Sequence, residues 1–509
     1  MLSPALPRSA AESALAAPST RERGVQLALQ LASILAVVGM AAMFAIALWA
    51  RNGLTPVEAM VGLHSHMYAQ GEGLYHPLNQ YPYTVAAYGP IYYSLCALLD
   101  RVGVPIYLAA RAISILSLLG ALWFGWRILA RLVPEGAAAR TTGLLLAAVT
   151  ANLLYWGSVG QVDMLAVCWS LAAFSSFLDW RAGGGSIWLA GLCVILAVFT
   201  KQTALAVGAT IGLLLLWEDR RTAARWIPAV ALVGVSIAAG LQRATNGAYL
   251  DNAIFANLNP FQGDKLVDQG KYFLLTSGGL LLTAACGVRH ATRKTAPLFL
   301  YTGLALAVWL LTAPKVGSDL NYQLEMGLLL ALAAGVGLDQ MGFFSAVIAN
   351  RRTAITLLQI PIVLHVALNL TLTARTAAER AVFESAKTAD IEALRPYWGT
   401  AKRRVLGGHY DATLQLRGRI EVETLIYTLL VEAGRVDPGP VLRDIEAGRF
   451  DTVMLPFDVT AEPKPTWLNA EVTPLPKAHL DAVRAHYRLV KHLDGAFLNG
   501  NYMYEPIRD

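Results

Sequence analysis

Long apolar segments separated by short polar connections fill most of the chain up to residue 373. Eleven of these segments are predicted to be membrane-spanning helices, because a run of about 20 apolar residues matches the hydrocarbon thickness of a bilayer. They cover residues 25–50, 105–130, 141–159, 163–180, 186–201, 202–218, 226–243, 272–288, 295–313, 322–339 and 353–373. The pattern therefore predicts a polytopic α-helical membrane domain over residues 25–373.

Basic residues mark alternate ends of these predicted spans. Residues 1–24 are rich in Ala, Ser and Pro and are predicted to form a disordered tail, with Arg21 and Arg23 just before the first span. Lysine and arginine concentrate in cytoplasmic connections, so we expect this tail in the cytoplasm. With eleven spans the later basic clusters fall on the same side, and these are Arg127/Arg131/Arg140, Arg181, Arg220/Arg221/Arg225, Arg289/Arg293/Lys294 and Arg351/Arg352.

The pattern changes after residue 373. Residues 374–509 are charged, punctuated by prolines, and alternate between helical and strand periodicity. We predict a helix over 420–434, a short buried strand over 450–457, a second helix over 476–495 and a strand over 497–506. This is the pattern of a small α/β domain, and an odd number of spans puts it on the extracytoplasmic side.

Composition agrees with a membrane protein. The chain is 55% hydrophobic and 15% charged, with a mean hydropathy of +0.47, whereas a soluble domain has about 25% charged residues. The net charge of +6 comes from the membrane part, where it sets orientation, so no nucleic-acid partner is expected. The cysteines lack metal-ligand spacing and are interpreted as small apolar packing residues.

The connection over residues 51–103 is the longest polar segment between predicted spans. A helix opened by Pro56 is predicted over 56–70, and a second helix opened by Pro90 is too short to span a bilayer. Both are expected to lie along the outer membrane surface. Glu58 lies in the first turn of the first helix, where an acid can act as a general base or ligate a divalent cation. The same position also favours an acid that only stabilises the helix end.

Further polar residues are predicted at the outer ends of other spans. Asp163 follows a tight Gly160-Gln161-Val162 turn and either caps its helix or faces a polar site. Lys201 and Arg111 interrupt apolar segments, and each either extends its charge to the membrane surface or meets an anion. The connection over 314–323 contributes a last group, consisting of Lys315, Asn321 and Tyr322.

Several familiar motifs are missing from the sequence. It contains no Walker loop, no dinucleotide-binding glycine fingerprint, no zincin motif and no nucleophile elbow. This argues against an ATP-driven pump and against a Rossmann-type enzyme that uses nucleotide sugars. A membrane enzyme that takes a lipid-linked donor needs none of these motifs.

Several short stretches, in this order, resemble the GT-C superfamily of integral-membrane glycosyltransferases, which includes protein O-mannosyltransferases and the aminoarabinose transferases of lipid A. They are PVEAMVGLHSHMYAQGEGLYHP, YGPIYYSLCALL followed by LAARAIS, VGQVDMLA, FTKQTAL and KVGSDLNYQLE. The resemblance covers residues 25–373 in layout and extends more loosely to the extracytoplasmic tails of some bacterial members.

The resemblance implies a reaction and a location. Such enzymes transfer a sugar from a polyprenyl-phosphate donor to a lipid, glycan or protein acceptor on the outer face of the plasma (inner) membrane, among membrane lipids. Glu58 would be the general base or a metal ligand. The donor phosphate and sugar would be lined by Asp163, Lys201, Lys315, Asn321 and Tyr322, with Arg111 as a further cation near the same face.

One departure concerns the metal. Many relatives carry two adjacent acids where this chain has Val57-Glu58, so the metal ligands are unknown, and a divalent cation such as Mg²⁺ or Mn²⁺ stays open as a cofactor. Two alternative functions also stay open. Eleven spans with intramembrane charges would suit a lipid or solute transporter, and a GT-C relative without catalysis would serve in envelope assembly through its C-terminal domain.

Overall fold

The computed structural model describes residues 20–343, 352–399, 403–407, 409–461, 474–495 and 501–508. Most of the tail predicted over 1–24 lies outside these residues, and the first described helix begins at Thr20. The helices up to residue 343 are α1 (Thr20–Trp49), α2 (Pro56–Ala69), α3 (Pro90–Arg101), α4 (Ile106–Leu132), α5 (Ala137–Val149), α6 (Ala151–Gly157), α7 (Val162–Arg181), α8 (Ile187–Thr200), α9 (Ala206–Glu218), α10 (Arg220–Ala244), α11 (Ala248–Ala253), α12 (Gly263–Val288), α13 (Ala296–Thr312) and α14 (Leu324–Gln340).

The apolar segments form the expected helices, and the chain is a multi-pass membrane protein. Each predicted span overlaps a helix or, for 141–159, the pair α5 and α6, which are bent by 62°. Within the described residues, six helices are long and apolar enough to cross a bilayer, or seven if the bent pair is one span. Helices α8, α9 and α13 are apolar but shorter; at 1.5 Å per residue, α8 is only about 21 Å long. The number eleven therefore stays a prediction.

Both predicted helices of the first outer connection are present. Thr55 caps α2 by accepting a hydrogen bond from the backbone N–H of Glu58 at 3.0 Å, and prolines open α2 and α3. Tyr92 and Tyr93 of α3, a helix expected along the membrane surface, are fully buried in the protein. They share an apolar cluster with Ile106 of α4 and with Tyr410 of the C-terminal region. The two helices thus form a packed layer between the spans and the C-terminal region.

A long helix and a four-stranded sheet make up the C-terminal region. Helix α15 (Arg352–Trp398) continues without a break across the predicted boundary between residues 373 and 374. The remaining elements are β1 (Val405–Leu406), α16 (Tyr410–Arg417), α17 (Thr424–Glu432), α18 (Gly439–Glu446), β2 (Thr452–Leu455), α19 (Lys477–His486), β3 (Tyr487–Leu493) and β4 (Asn501–Pro506). The strand order is β1-β2-β4-β3, with β1 and β2 parallel and the other pairs antiparallel.

The predicted elements of this domain are present, with one correction. The segments 420–434 and 450–457 contain α17 and the fully buried strand β2, as expected, and β4 lies at the end of the strand predicted over 497–506, whose residues 497–500 lie outside the described residues. The helix predicted over 476–495 ends at His486, and Tyr487–Leu493 forms β3. Pairing with β4 supplies the backbone hydrogen bonds of β3, and such a distant partner is invisible to local periodicity.

The C-terminal region is joined to the first outer connection by buried polar contacts. Tyr83 forms a parallel bridge with Val422. Lys387 of α15 makes an ion pair of 2.7 Å with Asp411 of α16. These two side chains also hold the backbone of Gly53, since Lys387 donates to its carbonyl at 2.6 Å and Asp411 accepts from its N–H at 2.8 Å. The loop before α2 is thereby fixed by residues more than 300 positions away.

Candidate active site

Glu58 and Arg111 form one fully buried ion pair. The guanidinium of Arg111 donates through Nε to Oε1 of Glu58 and through Nη2 to Oε2, both at 2.9 Å, and neither side chain is exposed to solvent. The remaining Arg111 protons go to the carbonyls of Ala47, Ala50 and Asn52 at 2.5–2.8 Å. A buried ion pair is favourable only when its other hydrogen-bonding positions are filled in this way. Arg111 therefore ties α4 to the end of α1 and to the start of α2.

The backbone completes the hydrogen bonding of Glu58. Its carboxylate accepts the N–H of Gly160 at 2.6 Å and the N–H of Leu54, so each oxygen accepts two hydrogen bonds. Gly160 can approach only because it has no side chain. A Cβ there would lie 2.6 Å from the Cβ of Ala110 and 2.9 Å from Oε1 of Glu58.

The second buried ion pair lies on the other side of the same turn. Asp163, in the first turn of α7, accepts from Nζ of Lys201 at 2.5 Å through Oδ1. Its Oδ2 accepts from the side-chain amide of Asn321 at 3.0 Å. Lys201 follows the last residue of α8, and its ammonium lies 3.8 Å from the ring centroid of Tyr322, close enough for a cation–π contact. The predicted residues Asp163, Lys201, Asn321 and Tyr322 therefore form one cluster.

A small cavity of about 40 Å³ adjoins this cluster. It is lined by the four clustered side chains and by residues of α7, α13 and α14, among them Trp309 and Glu325. Two buried atoms of the lining, Oδ1 of Asn321 and Nε1 of Trp309, have no hydrogen-bond partner in the described part of the chain. Buried polar atoms normally have partners, so these two are available to a ligand.

Lys315 lies beside this cluster, in a turn that is held by the connection between α11 and α12. Phe261 and Lys315 form an antiparallel bridge, and the N–H of Val316 donates to the carbonyl of Pro260 at 2.9 Å. Burial, followed by the nearby positive charge of Lys201, lowers the pKa of the Lys315 ammonium. Its Nζ makes no ion pair or hydrogen bond with the described residues, so it is a second cation available to a ligand.

The two ion pairs are linked through Gln161. Its side-chain amide donates to Oγ1 of Thr55, and its Oε1 accepts from Asn321, both at 3.3 Å. The turn Gly160–Asp163 thus contacts Glu58 through its first residue and Lys201 through its last. Glu58 and Arg111 do not line the cavity; the pair contacts, through Glu58, the other end of the turn, whose last residue, Asp163, does line it.

The site does not fit a divalent cation. Asp163 is already paired with an ammonium and an amide, and Glu58 accepts four N–H donors. Across the described ranges, no group of three or more His, Cys, Asp or Glu side chains is placed to hold a metal ion. The arrangement instead offers the ammonium of Lys201 and the free indole N–H of Trp309, which are donors suited to an anion, beside the free acceptor oxygen of Asn321.

Comparison with solved structures gives matches over almost the whole chain. No protein-family model and no curated protein matches the chain. Among solved structures, ArnT from Cupriavidus metallidurans bound to undecaprenyl phosphate matches with a TM-score of 0.64 and 12% identity, over 94% of this chain and 98% of that one. Its apo structure matches with a TM-score of 0.63 and 14% identity over the same shares. The oligosaccharyltransferase of Archaeoglobus fulgidus gives 0.50 and 10%, over 91% and 80% of the two chains.

These neighbours are GT-C glycosyltransferases. The chain has the GT-C fold. The neighbours are matched over nearly the whole of this chain, so the C-terminal sheet domain is included in the likeness.

Trp309 of this candidate site escaped the sequence analysis, whereas Glu325 lies in the KVGSDLNYQLE stretch quoted there. Trp309 and Glu325 line the cavity, and Glu325 accepts a hydrogen bond from Tyr301 at 2.5 Å. Trp309 gave no signal, because a tryptophan in an apolar span is ordinary. Gly89 allows the chain before α3 to pack closely against the end of α8. A Cβ at this position would lie 1.9 Å from the carbonyl oxygen of Phe199, two residues before Lys201.

The charged face of α15 was also missed. Arg380, Glu384 and Lys387 follow at i, i+4 and i+7 and therefore share one side of the helix. All three are buried. Arg380 donates to Oγ of Ser158 at 2.9 Å, two residues before the Gly160 turn. Charges on one face of a helix beyond the last predicted span were the available signal for this packing.

Proposed function

We propose that the protein is a glycosyltransferase that moves a sugar from a polyprenyl-phosphate donor to a lipid, glycan or protein acceptor at the outer face of the plasma membrane. The observation that carries the proposal is the Lys201 cluster. In a GT-C fold, it puts a buried ammonium, a free indole N–H and a free amide oxygen around one cavity. A structural neighbour, ArnT, binds undecaprenyl phosphate.

Lys201 supplies the electrostatic part of the chemistry. In the transfer, the acceptor hydroxyl oxygen attacks the anomeric carbon, and the bond from that carbon to the donor phosphate oxygen breaks. The leaving phosphate takes the electron pair and gains negative charge. A fixed ammonium in a buried site stabilises that charge more strongly than water does. Lys315, whose lowered pKa reflects burial beside Lys201, adds a second positive charge at the outer edge.

Asp163 is the residue we assign as general base, and Glu58 as a positioning residue. Asp163 lines the cavity and shares its Oδ1 with Lys201. A phosphate that binds Lys201 competes for the same ammonium, which leaves Oδ1 of Asp163 as an acceptor for the proton of the acceptor hydroxyl. Glu58 has no such freedom, because four donors occupy its oxygens and its side chain is fully buried. It holds the Gly160 turn and thereby the wall of the site.

The test is sugar transfer by the purified full-length protein with a set of polyprenyl-phosphate sugars as donors. Lys201→Met should lower kcat/KM at least about 100-fold, the size typical for loss of one buried electrostatic stabiliser. The matched control is Lys271→Met on α12, since Lys271 is 72% exposed and pairs with Asp268 only at the surface; such pairs contribute little. If Lys201→Met transfers sugar as fast as wild type, the assignment of this cavity as the transfer site is wrong.

The alternative functions are separated by the same preparation. A wild-type protein that consumes no polyprenyl-phosphate sugar but moves lipid across vesicles would be a transporter. A protein that does neither would support the non-catalytic role in envelope assembly. Transfer that depends on Lys201 excludes both.

A further inference from the structure

A larger cavity has in its wall Tyr107, whose ring packs against Arg111 of the Glu58–Arg111 pair. Its volume is about 480 Å³, and it is open at the surface where the end of α1 meets the start of α4. The other walls come from α2, α3 and α16. We call it the α1–α4 groove. Neither Lys201 nor Asp163 lines it, so it is distinct from the proposed transfer site.

The groove has an apolar end and a polar end. Leu48, Trp49 and Leu108 form the apolar end and are exposed; they belong to α1 and α4, both long and apolar enough to cross the bilayer. This end therefore opens toward lipid chains. Tryptophan is common at the level of lipid headgroups, so Trp49 marks the membrane surface. The polar end lies beyond Trp49, on the side of the layer formed by α2 and α3.

Arg51 is the exposed cation of the polar end. Its backbone N–H donates to Oε1 of Glu384 at 2.7 Å, which fixes the chain at this point. Its side chain is exposed, and its guanidinium has no ion pair or hydrogen bond with the described residues. A planar guanidinium with open donors matches a phosphate group, which it can bind through two parallel hydrogen bonds.

The carboxylate in the groove wall, that of Asp100, is mostly buried and has a partner. His66 and Asp100 both line the groove, and Nδ1 of His66 lies 2.7 Å from Oδ2 of Asp100. The contact engages one oxygen of the carboxylate, and the Asp100 side chain is only 12% exposed, so the groove presents the exposed Arg51 cation more than this carboxylate. Gln415 adds a neutral amide to the same wall. Charge complementarity thus favours an anionic headgroup beside Arg51 over a zwitterionic one.

From this arrangement we propose that the α1–α4 groove is a binding site for one anionic phospholipid of the surrounding bilayer. The phosphodiester contacts Arg51, and the upper acyl chain lies along Leu48, Trp49 and Leu108. Tyr107, also in the wall, packs 5.2 Å from the guanidinium carbon of Arg111. The bound lipid therefore supports the Arg111–Glu58 pair from outside. The inference stands independently of sugar transfer.

Photo-crosslinking of the full-length protein in lipid nanodiscs tests this site. The probe is phosphatidylglycerol with a photoreactive group in its upper acyl chain, and labelled peptides are located by mass spectrometry. Wild type should be labelled at residues 48–51 or 105–108. Arg51→Gln should lower that labelling about tenfold, because a hydrogen bond to a charged group is worth about 1.5 kcal/mol or more. Arg51→Lys should give an intermediate value.

The controls separate the site from general lipid contact. Arg289→Gln removes an exposed arginine at the other end of a span, at the C-terminal end of α12, and should leave labelling at the groove unchanged. Leu108→Trp should block labelling while Arg51 is intact. Equal labelling by a phosphatidylcholine probe, loss of labelling when inorganic phosphate is added, or no effect of Arg51→Gln in a variant with wild-type Tm would overturn the proposal.

Discussion

The two buried ion pairs around the Gly160–Asp163 turn look alike but differ in what surrounds them. Glu58–Arg111 is saturated, since both carboxylate oxygens and all five guanidinium protons have protein partners, and neither side chain lines the small cavity or the α1–α4 groove. Asp163–Lys201 borders a cavity with unpartnered polar atoms. A fully hydrogen-bonded buried pair has no group left for a substrate, and removing one partner leaves an unpaired buried charge, whereas a pair with open polar neighbours is available for chemistry. We therefore assign the first pair to the scaffold and the second to the site.

Breaking the saturated pair should have the largest effect on stability. Arg111→Met leaves Glu58 buried with no cation, and we expect a loss of about 3–5 kcal/mol in the free energy of unfolding. The measurement is the Tm of the purified protein together with its folded yield. In the double variant Glu58→Met with Arg111→Met, part of the stability should return, because both desolvated charges are gone.

The same variants can also contradict the distinction that we draw between the two ion pairs. If Arg111→Met keeps the wild-type Tm but abolishes sugar transfer, the Glu58–Arg111 pair belongs to the catalytic site and our division between scaffold and site is wrong.

Asp163→Asn should separate activity from stability. The amide keeps the size of the side chain and a contact with Lys201, but it cannot accept a proton, so we expect kcat to fall about 100-fold or more. The Tm should change less than in Arg111→Met. The conservative variant Asp163→Glu should recover part of the rate. A full loss of folding in Asp163→Asn with no recovery in Asp163→Glu would assign this pair to the scaffold too.

Gly160→Ala should disturb both pairs through their shared turn, with the smallest effect of the three. The added methyl would lie 2.6 Å from the Cβ of Ala110 and 2.9 Å from Glu58, and such overpacking costs about 1–3 kcal/mol. We expect a lower Tm together with slower sugar transfer.

The matched control for this change is Gly234→Ala in α10. A Cβ at Gly234 meets nothing within 4 Å, so helix propensity should leave the Tm unchanged or slightly raised. Equal behaviour of the two alanine variants would mean that the Gly160 turn does not couple the ion pairs.

Much of the architecture could be predicted from the sequence. Pro56 and Pro90 open the helices that they were expected to open, and each predicted span overlaps a helix or the bent pair α5 and α6. Four of the predicted site residues, Asp163, Lys201, Asn321 and Tyr322, line one cavity, and Lys315 lies beside it. The strand Tyr487–Leu493 was missed, because its helical neighbour α19 runs directly into it and its pairing partner β4 lies beyond residue 500.

The sequence by itself determined which segments are apolar helices, where several of them begin, and which charged residues stand out near the outer ends of spans. These properties depend on local periodicity and on the chemistry of a few neighbouring residues. The tertiary structure alone decided which charges meet. Arg111 pairs with Glu58 across 53 positions and Lys201 with Asp163 across 38. Helix packing brings these partners together, and it also decides whether any polar atom is left free for a substrate.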